Sequence, residues 1–502
     1  MSGFLIAQVS TVAREAIAVC RALKLRYLWI DALCIVQDDK SDWERESAAM
    51  GSVYRHSYVT ICAAASSSCH QGFLDRKSQT VNIRFQSSIV AQVAGTYSLR
   101  FSRFADFRHL RSMFRTPLDH DLLSCSWAAR GWTYQETALS QRLLVLSSAR
   151  MYIVCNYFTF SERIEGYQAW GTDPYLTSPF SSEEDLYGFS MYETYDSWLE
   201  VVHSYSCRKL TFATDRLPAL SGLAQRVSEK TQDDYIAGIW RRDMLRGLFW
   251  NCKQRKGVGL QELLAALDLP DVYIAASWSF ASAYGVVKFD LSGHDLDKYS
   301  FVNFREEWVH IDAQVVPEGL NPYGALKYGI MWITGLVADV PSDLSFVENR
   351  FTNIQRWEIK VNGRCVADCS IDWHSRQDTI PPGDLSMVLL GSCHARRASR
   401  PNQDELEESE DGEELEESED EDSDSGFRDI PVVPKDLFDI DGNSLAPETQ
   451  DKERHRYAFG LLLHPAKTEG KYYRVGTWQS TPRQGGLRSF CKDWETRSLE
   501  II

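Results

Sequence analysis

The sequence predicts an α/β core followed by a mixed α+β region, on three observations. Near the N-terminus, two short and nearly continuous apolar runs are each preceded by a segment with helical spacing. From about residue 198 to 265 the apolar spacing stays mainly helical. Residues 271–400 and 455–480 instead alternate apolar and polar side chains between Gly and Pro breaks, the pattern of strands.

In chain order, Thr11–Leu23 places Val12, Ile17, Val19, Cys20 and Leu23 at mostly helical spacing and predicts an amphipathic helix. The run Tyr27–Val36 predicts a central strand buried on both faces, as in a parallel sheet. Asp31 is costly inside such a run unless something pairs with it. Gln37, Asp38 and Asp39 follow at the strand's carboxyl end, where open α/β sheets place ligand crevices.

Ser41-Asp-Trp-Glu44 fits a capping box, so a helix is predicted from Asp42. Its apolar stripe would be Trp43, Ser47, Met50 and Tyr54, with Glu46 at the rim and Glu44 pointing further out. Tyr58–Ala65 predicts a second buried strand. Further on, Trp127–Glu136 gathers Arg130, Trp132, Gln135 and Glu136, and Leu143–Val145 and Met151–Cys155 read as strands after it. Helix and strand alternate, which argues for right-handed crossovers in an α/β fold.

Composition bounds the function. The chain has 502 residues, enough for two to four domains, and its 44% hydrophobic and 25% charged residues exclude a chain disordered throughout. No apolar run is long enough to span a membrane, and Met1–Ala16 lacks the basic and apolar regions of a leader, so a cytoplasmic protein is expected. Asp404–Asp424 holds 15 acidic residues; removing them from the net charge of −16 leaves −1 on the rest. The segment 402–426 is therefore expected to be a disordered, solvated insert between late strands. Without a cationic stripe on the remainder, nucleic acid is not expected as a partner.

The cysteines sit mostly in apolar stretches, as buried reduced thiols do. Cys365, Cys369, His374, Cys393 and His394 have irregular spacing for zinc, so strand-borne core cysteines are preferred and no metal ligands are assigned. The sequence has no G-x-S-x-G elbow, H-E-x-x-H motif or phosphate loop.

Tyr27-Leu-Trp-Ile-Asp-Ala-Leu-Cys-Ile-Val-Gln-Asp-Asp39, Asp42-Trp43 with Glu46, Met50-Gly51 with Val53-Tyr54, and Arg130-Gly-Trp-Thr-Tyr-Gln-Glu136 are long, ordered blocks. They resemble the signature blocks of the fungal heterokaryon incompatibility (HET) domain. Later segments, including Tyr205–Thr211 and Asp215–Leu223, resemble blocks that follow that domain in long members. The resemblance implies non-self recognition and programmed cell death, an innate-immunity-like role. It also implies a core remotely similar to the flavodoxin-like Toll/interleukin-receptor (TIR) fold, which in several branches cleaves NAD. The chain lacks the usual Ser-Tyr-x-Trp-Gly block, so either its start is truncated or one sheet strand fewer is expected.

The expected layout is a HET-type α/β domain over 1–160, a mainly helical region over 161–270 and a strand-rich region over 271–502. Two readings of function stand beside each other. One is an effector acting through unidentified protein partners, with self-association left open. The other is an NAD-cleaving hydrolase with NAD as substrate and no cofactor; an inactive truncated member is a third outcome. Cleaving the nicotinamide–ribose bond requires a carboxylate near an oxocarbenium-like transition state and a wall for the ring. Asp31, Glu46 and Glu136 are the candidate catalytic carboxylates, and Trp43, Arg130, Trp132 and Gln135 the candidate ligand-binding residues.

Overall fold

A computed structural model describes residues 6–75, 80–90, 92–100, 118, 121–122, 125–155, 158–162, 189–253, 259–268, 272–289, 291, 299–340, 343–348, 355–361, 363–373, 385–397, 456–490 and 494–502. The acidic insert 402–426 and His374 lie outside these residues. The fold is mixed α/β and divides into two compact units. Unit 1 comprises 1–248, 265–288 and 313–330, and unit 2 comprises 249–264, 289–312 and 331–502.

Unit 1 opens with α1 (Thr11–Ala22), capped by the Ser10 hydroxyl, which accepts from the Ala13 N–H at 3.2 Å. The Glu15 carboxylate accepts from the N–H groups of Phe73 and Leu74 and so fixes a distant loop to this helix. The expected central strand over Tyr27–Val36 does not form. The chain is extended through Ile30, and Asp31–Cys34 then makes a single helical turn, α2. Leu28 and Ile30 pack with Ala16, Ala63 and Phe73, whereas Tyr27 is 81% exposed. Leu28, Trp29 and Ile30 are only partly buried, so the segment is not a strand covered on both faces.

The next helix, α3 (Lys40–His56), starts two residues before the expected Asp42. Asp39 is its cap, accepting from the N–H groups of Ser41 and Asp42. Asp42 instead accepts from the Val36 N–H at 2.8 Å. Ser47, Met50 and Gly51 form the buried stripe. The side chains of Glu44 and Glu46 are similarly accessible, at 25% and 29%, so Glu44 does not point further out than Glu46.

Strand β1 (Thr60–Cys62) is followed by the hairpin β2 (Thr80–Gln86) and β3 (Ala94–Arg100), then α4 (Trp132–Ala138), β4 (Arg142–Leu146), β5 (Met151–Cys155) and β6 (Phe158–Ser161). The sheet order is β1-β4-β5-β6. Only β1 and β4 run parallel; β5 and β6 continue antiparallel, so the sheet is partly parallel. Cys62, Val145, Tyr152 and Val154 pack into one apolar cluster with Leu118 and Leu122, while Ala63 and Leu146 join α1 in another. Two helices, α5 (Met191–Ser206) and α6 (Ser221–Thr231), complete the part of unit 1 that bears on the site.

Unit 2 is a mostly antiparallel sheet. Its strands include β7 (Leu326–Asp339, in this unit from Met331), β8 (Gln355–Val361), β9 (Arg364–Ile371), β10 (Ser386–Arg397), β11 (Tyr457–Pro465), β12 (Lys471–Ser480) and β13 (Glu495–Ile501). Pairing runs β10–β7–β13–β12–β11 and returns to β10, closing a ring in which each strand is bonded on both sides. Val388, Leu461, Leu463, Val475 and Ile501 are fully buried there.

Candidate functional site

The site is assembled from four short pieces of unit 1. Asp31 is the first residue of α2, where its Oδ1 accepts from the Ala32 N–H at 2.8 Å. From the C-terminal half of α3 comes Tyr54, whose ring meets that of Trp29 edge to face at 5.6 Å between centroids. Glu136 lies on α4, and the turn after α5 supplies Arg208. Two backbone bonds, Lys209 N–H to Ala129 O and Gly131 N–H to Lys209 O, both 2.7 Å, clamp the segment before α4 to the turn after α5. Arg130 and Arg208 therefore act on one carboxylate although they lie far apart in sequence.

Burial pushes the Glu136 carboxyl up to about 7; Arg130 and Arg208 work against the rise, Asp31 adds to it, and a hydrogen bond from Tyr54 opposes it. Such a group exchanges a proton near neutral pH, as a general acid or base must. The Tyr54 phenol is raised, by burial first and then by Glu136 and Asp31, so it stays protonated and serves as a donor. Arg208 is held over the Tyr134 ring at 4.7 Å and donates to the Thr133 hydroxyl at 3.0 Å. Burial lowers its pKa without bringing it near neutrality as a guanidinium.

Of the residues singled out from the sequence, Asp31, Arg130 and Glu136 come together. Glu46 does not join them: it lies beside Arg45, with Nε at 3.8 Å, and eight helical residues separate it from Tyr54, about 12 Å along the axis. Trp43 is half-buried and further still along α3. The Trp132 indole donates to Asp215 Oδ2 at 3.1 Å and so anchors α4. Gln135 is fully buried, and its Oε1 accepts from the Gly222 N–H at 2.7 Å, so it braces two helices. Tyr54, Trp29 and Arg208 were not singled out as site residues, although each stands in one of the sequence blocks quoted above.

Residues 4–136 match the family model described as Heterokaryon incompatibility protein (HET). The chain carries a HET domain. Its match includes Asp31, Tyr54, Arg130 and Glu136, while Arg208 lies beyond it. No curated protein and no solved structure matches the chain. No helix among the described residues is long and apolar enough to cross a membrane. A domain of this kind implies a role in heterokaryon incompatibility.

Proposed function

We propose that this HET-domain chain is a cytoplasmic effector of non-self recognition that triggers programmed cell death mainly through contact with another protein. The family match supports the process, and the β2–β3 hairpin carries the mode. Its pairing sets Ile83 beside Tyr97 and Phe85 beside Gly95, and Val81 lies two residues before Ile83, so these residues share one face. Val81, Ile83 and Tyr97 on that face are exposed, and Ile89 near the tip is 91% exposed. Phe85 and Tyr97 stack at 4.6 Å. A two-stranded hairpin gains little stability alone, and a contiguous exposed apolar face marks a contact surface. Residues 80–100 contain two arginines and no acid, which suits a protein partner with an apolar patch rimmed by carboxylates. Induced expression in a fungal host should arrest growth, and Ile83→Asp should relieve the arrest at unchanged abundance. Arrest that persists in that variant overturns the reading.

A second reading is favoured by the proton-exchanging Glu136. In it, a core similar to the flavodoxin-like TIR fold cleaves the nicotinamide–ribose bond of NAD. Glu136 or Asp31 would steady the oxocarbenium-like transition state, and Arg130 and Arg208 would hold the pyrophosphate. The Trp29–Tyr54 pair would form the wall beside the nicotinamide ring. Cellular NAD should then fall with growth and recover in Glu136→Gln, with Glu46→Ala as the unaffected control. Arrest at steady NAD would leave the contact reading alone.

A further inference from the structure

We propose that the outer face of the β8–β9 hairpin is a binding site for a divalent cation of the zinc type, with the Cys365 thiolate and the Glu358 and Asp368 carboxylates as ligands. One donor atom from each of the three lies within 4.8 Å of the other two. Tetrahedral zinc with one sulfur and two oxygens needs a closure of roughly 1 Å from there, within the reach of side-chain rotation, and water takes the fourth position.

The backbone explains how three such groups come to share a face. In a regular strand, residues three apart point to opposite sides. Here the pairing slips between Ile359 and Lys360: Ile359 faces Ala367, whereas Lys360 faces Cys365. Val366 and Ala367 both turn inward and are buried, which leaves Cys365 and Asp368 half-exposed on the outside. A bulge of this kind re-aims side chains and is enriched beside functional sites. Glu358 stands directly opposite Asp368 in the ladder, and like charges in that relation destabilise a sheet. The Lys360 ammonium lies 3.1 Å from Glu358 Oε2.

The thiol is also oriented from behind. Gln484 Nε2 donates to Cys365 Sγ at 3.3 Å, while Gln484 Oε1 is fixed by the Thr481 N–H at 2.9 Å. Such outer hydrogen bonds set the geometry and basicity of metal ligands. Cys369 and Cys393, which the sequence places in the same neighbourhood, are both buried core residues and take no part. The mix of one soft and two hard donors suits a borderline dication better than calcium or magnesium.

The test uses the full-length chain, stripped with chelator and titrated with cobalt(II) alone. One equivalent should produce a thiolate-to-cobalt charge-transfer band that zinc abolishes, and Cys365→Ser should remove the band. Asp368→Asn and Glu358→Gln should each weaken cobalt affinity by about tenfold or more, with the circular dichroism of the metal-free proteins unchanged. A missing band, a band that survives in Cys365→Ser, or unaltered affinity in Asp368→Asn overturns the site. The Asp368→Asn arm decides alone if Cys365→Ser fails to fold.

Discussion

Gly51 of α3 and Gly222 of α6 face each other so closely that a β-carbon on either would lie 2.8 Å from the other's Cα. The absent side chains let the two helices cross in contact. Gln135 Oε1 and Leu139 Cδ1 close the remaining space above Gly222, each 2.9 Å from such a carbon. Gly51→Ala and Gly222→Ala should therefore each lower stability by about 1–3 kcal/mol through overpacking. Urea midpoints at constant slope check this, and an unchanged midpoint would mean that the helices separate at no cost.

Glu136 makes stability depend on pH in a defined direction. Its carboxyl titrates near 4.5 in an unfolded chain and at about 7 in the fold, so the fold binds the extra proton between those values. The contribution of this group is full below about 4.5, is lost as pH rises towards 7, and stays lost above. Glu136→Gln should flatten that fall and leave the protein more stable than wild type at pH 8, by up to about 3 kcal/mol. Parallel profiles for the two proteins would refute the assignment.

Asp31 acts on the same profile from outside. It starts a helical turn at a half-exposed position, so Asp31→Asn should cost less than about 1 kcal/mol. Removing its charge should also shift the Glu136 transition towards acid, because Asp31 is one of the groups that raise it. A transition that does not move would show that the two carboxylates do not sense each other.

In unit 2, Arg474 is fully buried over the Trp250 ring, 3.4 Å from its centroid, and is paired with Asp372. Burial lifts the Asp372 carboxyl to about 6, against the pull of Arg474. Arg474→Met should cost about 3–5 kcal/mol by leaving a buried carboxyl without its cation. Adding Asp372→Leu to that variant should recover part of the loss, read from guanidinium unfolding. A double variant weaker than the sum of the singles would contradict this account.

The sequence made some of this legible and hid the rest for physical reasons. The grouping of Asp31, Arg130 and Glu136 could be read because each stands in a distinctive block. Gln135 stands apart from Glu136 because one residue along a helix turns the side chain by about 100°, here into the core. Tyr54 and Arg208 reach the site through the crossing of α3 and the clamp at Lys209, both long-range events. Tyr27–Val36 looked like a buried strand because its apolar content is nearly continuous. Asp31, costly in mid-strand, is at home as the first residue of a helical turn, where the helix end favours its charge. The helix start was misplaced because two acids competed for it: Asp39 caps the first turn, and Asp42 is drawn back to Val36.

The two units are interleaved along the chain, and this sets an order of events during synthesis. Unit 1 takes its last segment from 313–330, after two stretches that belong to unit 2. The HET-matched part ends at residue 136, so 194 further residues must be translated before its own unit is whole. At a ribosome's pace that is a wait of roughly 10–40 s. Early in that interval, until residues 215 and 222 are made, Trp132 has no Asp215 and Gln135 no Gly222 to brace, so the signature region gains its supports in steps as the chain lengthens.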